Sequence, residues 1–381
     1  MPQQSQESST MTKLKVFLPI NPQRGDIPDH FEAFQKFQKE FDVIIRPMSS
    51  DLEEWKTALA GELSDISAIW ITNVVFTLAG EFNSLIDFFP PSLRVIAVPW
   101  VGHDRFDGVR LREKGIVLCN VGDSSAKDVA DIALYLALGT FRYTSYFDKA
   151  FRENKCDITA TRRVIGGTDY HSETKQPLVS NDPARLNWAK YMTVGGKSMD
   201  SPSGKIAGIV GLGAIGKEIA LRLWALGMKI VYTKRTPLSE EEVKALPYEP
   251  VYYSSFEEMV PHVDLLALAV PNTPQTENLI NENTIKLFKK GSRIVNIGRG
   301  NAIDEEVLLK ALDDGTLNSV GLDVFRNEPK VDKRFADRFD VVLAPHLGSF
   351  TMDNFRGAAE RTIENIRNVI VDDGPGICPV N

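Results

Sequence analysis

The run Ile206-Ala207-Gly208-Ile209-Val210-Gly211-Leu212-Gly213-Ala214-Ile215-Gly216 sets an apolar stretch directly before Gly-x-Gly-x-x-Gly. Helical periodicity follows over 217–226. The pattern alone also suits any tight strand-to-helix turn made of small residues. Its flanks decide the matter: strand, glycine turn and helix in that order begin a βαβ unit that holds the pyrophosphate of a dinucleotide. Gly211 permits the turn, Gly213 lets the backbone approach the phosphates, and Gly216 allows close contact between helix and strand. The helix start at Ala214 and Ile215 then offers N–H groups and a partial positive charge to the anion.

Downstream, candidate strands fall at 205–210, 229–233, 264–270, 293–297, 319–324 and 341–344, with helix-period segments between them. Six such strands fit a dinucleotide-binding α/β sheet. Upstream, strands at 14–20, 43–46, 68–72, 94–98 and 116–120 alternate with amphipathic segments at 29–41, 51–63, 81–88 and 104–114. This alternation predicts a second parallel sheet covered by helices on both faces. A long helix over 124–148 joins the two series. The stretch 151–203 is rich in Gly, Pro, Asn, Asp, Ser and Thr, and 156–183 within it reads as an exposed insertion. A final helix over 353–371, stopped by Gly374 and Pro375, is free to pack on the first unit.

The chain has 381 residues, 43% hydrophobic and 25% charged, which excludes disordered and collagen-like classes. A net charge of −7, spread along the chain, argues against nucleic-acid binding. Nothing approaches ~18 uninterrupted apolar residues, so no membrane span is expected. Residues 1–10 are Gln/Ser-rich without a basic or apolar region and do not read as a signal peptide. Cys119, Cys156 and Cys378 cannot all pair and lack metal-ligand spacing. A cytoplasmic protein without a metal is the expectation.

The second strand of the glycine-turn unit ends Tyr232-Thr233-Lys234-Arg235-Thr236. An NAD site places an acid there for the ribose hydroxyls, and this sequence has none. Lys234 and Arg235, with the Thr236 hydroxyl, suit a 2′-phosphate, so NADP(H) is expected over NAD(H). The alternative is two solvated basic residues at a strand end.

Three later strand ends carry unlike polar residues: Arg299, Glu328 and His346. Singly, each has an ordinary structural reading as a surface ion pair, a turn cap or a hydrogen-bonded core imidazole. Together they form a chemical set. Arg299 can grip a carboxylate and polarise a carbonyl. His346 can donate a proton near neutral pH. Glu328 beside it would fix the imidazole tautomer and favour its charged form. Such a set suits reduction of a 2-oxo acid.

The ordered motifs Gly211 to Gly216, Val270-Pro271-Asn272-Thr273 with Thr276, Asn296-Ile297-Gly298-Arg299-Gly300, Gly321-Leu322-Asp323-Val324 through Glu328-Pro329, and Pro345-His346-Leu347-Gly348 resemble the D-2-hydroxyacid dehydrogenase family. The resemblance implies a flavodoxin-like substrate domain, 1–123 with 350–381, split around a Rossmann cofactor domain at 124–349. It carries the catalytic roles onto Arg299, Glu328 and His346. The amides that hold the substrate carboxylate carry onto Val101 and Gly102, and the nicotinamide-amide acceptor onto Asp323. Cofactor contact extends to Val270, Pro271, Thr276, Ile297, Gly298, Arg299, His346 and Gly348. A homodimer through the cofactor domain is also implied, as is closure about hinges near 122–124 and 347–353.

Trp100 departs from the family pattern, which usually has a small residue there. Lys234-Arg235-Thr236 is similar to the NADP-using glyoxylate and hydroxypyruvate reductases. Asp131-Ile132-Ala133-Leu134-Tyr135-Leu136, with Lys197-Ser198, resembles the D-mandelate dehydrogenase branch. The expected substrate is therefore glyoxylate, hydroxypyruvate or a bulkier acid such as phenylglyoxylate. A dinucleotide-sensing, corepressor-like interaction protein on the same fold is the competing reading.

Overall fold

The computed structural model describes residues 13–21, 27–78, 81–179 and 191–381. The chain divides into two compact units, 1–124 with 351–381 and 125–350.

The first unit is built on five parallel strands: β1 (Lys15–Ile20), β2 (Asp42–Pro47), β3 (Ala68–Trp70), β4 (Val95–Ala97) and β5 (Val117–Cys119). Their order is β2-β1-β3-β4-β5. Strand alternation sorts the core onto two faces. Val16, Leu18, Val95 and Ala97 pack with Phe34 and Phe37, and with Ile363, Ile366 and Val369 of the helix Met352–Ile370. Phe17, Ile69 and Ile96 pack the other way, against Trp55 and Leu59 of the helix Leu52–Ala60. A helix distant in sequence thus covers one face of this sheet. The segment beyond it adds to the β5 edge: Cys119 bridges Pro379 antiparallel, and Val380 N–H donates to Leu118 O at 2.9 Å.

The second unit contains a short antiparallel pair, β6 (Thr193–Val194) and β7 (Lys197–Ser198), and seven further strands. These are β8 (Ile206–Val210), β9 (Lys229–Thr233), β10 (Val251–Tyr252), β11 (Leu265–Leu268), β12 (Ser292–Asn296), β13 (Leu317–Leu322) and β14 (Val341–Leu343). The main sheet is parallel throughout, in the order β10-β9-β8-β11-β12-β13-β14. Helices Ala126–Arg142 and Ala214–Ala225 seal one face, and Glu305–Asp313 seals the other.

Three local features depart from expectation. The helix expected over 124–148 breaks at Tyr143, which adopts a left-handed φ of 53°. Its buried ring lies 5.8 Å from that of Phe339 and its hydroxyl donates to Ser198 O at 3.2 Å, so tertiary contacts override the apolar period. The segment Glu81–Phe88 is 3₁₀ rather than α. There Asn83 donates to Arg105 O and accepts from Asp107 N–H, so its side chain serves a neighbouring loop. The main sheet gains a seventh strand, β10, whose two exposed residues carry no alternation to read. The expected insertion is exposed at most of its described positions, 156–179, and it is anchored to its unit. Val164 packs with Val194, Tyr143 and Phe339, and Tyr170 donates its hydroxyl to Asp313 O at 3.1 Å. The rest of the expected insertion, 180–183, lies outside the described residues.

Lys197 is buried and ion-paired with Asp340, which also receives two hydrogen bonds from Arg338 at 2.8 and 2.9 Å. Burial pulls the Lys197 ammonium below its usual range, and Asp340 opposes that shift. This pairing gives Lys197 a structural place at the base of the second unit.

Candidate active site

The glycine turn sits between β8 and the helix Ala214–Ala225. Gly211 has φ +91°, and its N–H donates to Thr233 O at 3.0 Å. A Cβ on Gly216 would fall 2.1 Å from Gly211 O, so only glycine allows this approach. A Cβ on Gly213, by contrast, would meet nothing within 4 Å. No side chain caps the helix start that follows. Open space before an uncapped helix N-terminus is what a pyrophosphate needs, and the residues present fit a dinucleotide.

β9 ends in buried Thr233, then half-buried Lys234 and exposed Arg235 and Thr236. Glu242, which feels the charge of Lys234, is already engaged. It closes a capping box with Ser239 and pairs with Lys217 at 3.0 Å. Those bonds hold its carboxyl below the usual range, with Lys234 adding a smaller electrostatic pull.

The loop after β11 carries Val270, Pro271 and Thr276. The Thr276 hydroxyl donates to Pro271 O at 2.6 Å and accepts from Thr273 N–H at 2.9 Å, which shapes the turn. After β12, buried Asn296 accepts from Gly298 N–H at 3.1 Å and donates to Arg299 O at 2.9 Å. It thereby sets the turn Ile297-Gly298-Arg299, and Arg299 Nη1 donates to Gly298 O at 2.8 Å. Sequence reasoning placed Asn296 only inside a motif. Its invisible role is to be buried with both ends of the amide used.

His346 follows β14 with φ +54°, an uncommon conformation for a residue with a Cβ. Asp323, just beyond β13 and 1% exposed, holds the chain there by accepting from Leu347 N–H at 2.7 Å and Gly348 N–H at 3.0 Å. Burial pushes the Asp323 carboxyl up, and these amides pull it partly back. Both its oxygens are thus already used within the unit, whatever further acceptor role they take.

His346 Nδ1 lies 2.9 Å from Glu328 Oε2, and Glu328 Oε1 accepts from Phe325 N–H at 2.9 Å. The hydrogen bond to Glu328 raises the imidazole above its ordinary value; partial burial and Arg299 oppose this, while the Glu328 and Asp323 charges assist. For Glu328, burial pushes up, but the bonds from His346 and Phe325 and the charges of His346 and Arg299 outweigh it, so its carboxyl is lowered. With Nδ1 committed, Nε2 is the nitrogen left for a reacting group. Arg299, Glu328, His346 and Asp323 therefore converge at the carboxyl ends of β12, β13 and β14, where ligands of open α/β sheets bind.

Val101 and Gly102 lie in the first unit, beyond β4, and both are half-buried. Trp100 stacks on Phe76 at 5.1 Å and 28° between ring planes. Among the described residues no group of three His, Cys, Asp or Glu could hold a metal, and no helix is long and apolar enough to cross a membrane.

A glycine turn at the head of a parallel sheet, with a carboxylate-backed imidazole and an arginine at its later strand ends, defines a dinucleotide-dependent oxidoreductase. Residues 182–348 match the family model described as D-isomer specific 2-hydroxyacid dehydrogenase, NAD binding domain. A "Putative 2-hydroxyacid dehydrogenase" of Saccharomyces cerevisiae is 36% identical, over 96% of this chain and 95% of its own. Glyoxylate reductase of Thermococcus gammatolerans is 31% identical over 89% of each chain. Among solved structures, holo D-mandelate dehydrogenase of Rhodotorula graminis superposes with a TM-score of 0.81 at 30% identity, covering 97% of this chain and 98% of that one. The chain belongs to the D-2-hydroxyacid dehydrogenases, oxidoreductases that act on the CH–OH group of 2-hydroxy acids.

Proposed function

We propose that the chain reduces a 2-oxo acid to the D-2-hydroxy acid with NADPH, and that Arg299, Glu328 and His346 carry the chemistry. The observation that carries this reading is the 2.9 Å contact of His346 Nδ1 with Glu328, which leaves Nε2 to act as proton donor. When bound, the cofactor supplies a hydride to the keto carbon. His346 gives its Nε2 proton to the carbonyl oxygen, which becomes the hydroxyl, and is reprotonated from solvent. Glu328 holds the imidazole in its charged form. Arg299 orients the oxo acid and polarises its carbonyl, and in the first unit the Val101 and Gly102 amides are assigned to carboxylate binding. Asp323 serves as acceptor for the nicotinamide amide, and Val270, Pro271, Thr276, Ile297, Gly298 and Gly348 contact the cofactor.

The preference for NADPH rests on Lys234 and Arg235 standing where an NAD enzyme needs an acid. A structural relative of 25% identity and TM-score 0.70, the NADPH-dependent glyoxylate/hydroxypyruvate reductase of Sinorhizobium meliloti in complex with NADP and malonate, supports it; 97% of each chain is covered. Trp100, next in sequence to Val101 and stacked on Phe76, places a large apolar ring beside the assigned carboxylate-binding amides. That favours an oxo acid with a bulky apolar side chain. We also expect a cytoplasmic homodimer through the cofactor unit, which light scattering on the purified protein would test.

The deciding experiment is steady-state turnover of glyoxylate, hydroxypyruvate and phenylglyoxylate with NADPH and with NADH. Turnover of none of the three would overturn the reductase reading, and equal use of NADH would overturn the cofactor assignment alone.

A further inference from the structure

Asn120, immediately after β5, has every polar end of backbone and side chain committed. Its N–H donates to Cys378 O at 3.0 Å, and its carbonyl accepts from Asn365 Nδ2 at 2.8 Å. Its Oδ1 accepts from Gly122 N–H at 2.9 Å, and its Nδ2 donates to Val101 O at 2.8 Å. Asn365 is 0% exposed and accepts at Oδ1 from Ile377 N–H at 3.0 Å and Cys378 N–H at 2.9 Å. One buried pair of asparagines thus links the segment 377–378 to the carbonyl of Val101, entirely within the first unit.

The direction of that carbonyl matters because the peptide group is planar and trans. The C=O of Val101 and the N–H of Gly102 belong to the same plane and point opposite ways. Fixing the carbonyl toward Asn120 therefore aims the Gly102 N–H away from Asn120. A carbonyl that accepts a strong hydrogen bond also polarises its own amide and makes that N–H a better donor. His103 Nδ1 lies 3.3 Å from the same oxygen, a longer contact within the same half-buried loop. It cannot set the plane as Asn120 does, since Asn120 is itself held on four sides.

We propose that Asn120 is a positioning residue for substrate: it orients and polarises the Val101–Gly102 peptide that receives the 2-oxo acid carboxylate, and Asn365 with the segment 376–381 holds Asn120 in place. This rests on the assignment of Val101 and Gly102 made above.

The test uses the full chain and compares wild type with Asn120→Ala, Asn120→Asp and Asn365→Ala. Asn120→Asp is nearly isosteric and keeps the acceptor for Gly122 while removing the donor to Val101, so it stands in should the alanine variant fail to fold. The readouts are KM for the 2-oxo acid turned over by wild type, the inhibition constant of oxalate, KM for NADPH, kcat and the melting temperature. The expected result is a rise of roughly tenfold in both the oxo-acid KM and the oxalate constant for either Asn120 variant. Asn365→Ala should show a smaller rise in the same direction, with KM for NADPH unchanged throughout. A lower melting temperature with unaltered oxo-acid KM and oxalate constant would make Asn120 merely structural and overturn the proposal. If wild type reduced no 2-oxo acid, the underlying functional reading would fall first, and the two failures are thereby distinguished.

Discussion

At the scale of single residues, the paired His346 and Glu328 make the sharpest claims. His346→Ala should lower kcat by about 10²–10⁴ while NADPH affinity survives, since general acid catalysis typically contributes that much. Single-turnover rates and cofactor titration would check both halves. In the role we propose, Arg299 touches the oxo acid rather than the transferred proton, so Arg299→Ala should raise KM as well as lower kcat. The pH dependence has a definite sign. In the proposed mechanism reduction uses the protonated imidazole, and the bond to Glu328 raises its pKa, so activity should persist above the ordinary histidine range and fall as pH rises through the raised value. Glu328→Gln removes the charge that raises it, and the fall should move to lower pH. An unshifted kcat/KM profile in that variant would show the two groups to be uncoupled. The stability that the pair lends follows the same signs. The His346 part is lost as pH rises through its raised pKa, and the Glu328 part as pH falls through its lowered one.

At the scale of elements, we assign the reading of the cofactor to the turn between β8 and its helix together with the end of β9. A 2′-phosphate bonded to Lys234 and Arg235 gains one or two charge-assisted hydrogen bonds, each about 1.5–3 kcal/mol. A net ~3 kcal/mol corresponds to roughly a hundredfold preference for NADPH in kcat/KM. Arg235→Ala should therefore raise KM for NADPH far more than for NADH, as steady-state kinetics with each cofactor would show. These elements were legible because they follow short-range rules: a β-branched run, glycines at fixed offsets, a helix. What stayed hidden depends on partners distant in sequence. The apolar period runs on past Tyr143, yet the helix stops there because the ring is drawn toward Phe339 and Ser198. Asn296 and Asp323 sit in recognisable motifs, but nothing local says that they hold the turns bearing Arg299 and His346. Similarly, β10 was too short and exposed to leave an alternation.

At the scale of the whole molecule, the first unit draws its core from the sequence that precedes and the sequence that follows the second. Ile366 is fully buried among Val16, Leu18, Val95 and their neighbours, although some 270 to 350 residues separate them in the chain. Ile366→Ala should cost about 2–5 kcal/mol, the usual range for a deleted core isoleucine. Denaturant melts would measure it, and NADPH binding, which we assign to the other unit, should keep its affinity in the folded variant. The alternating strands of each unit were plain from the sequence, whereas the antiparallel segment along β5 was not, because 377–381 carries no strand period of its own.

The route of the chain also orders events during synthesis. A ribosome makes residues 13–124 first, yet Val16, Leu18 and Val95 must wait for the helix Met352–Ile370 to cover them. The intervening 125–350 carries its own complete sheet and can condense while the earlier strands are still uncovered. The nascent first unit therefore spends the making of more than two hundred residues with an apolar sheet face open to solvent. That interval is when a chaperone has most to do, and when a truncated transcript would leave a sticky, unfinished product.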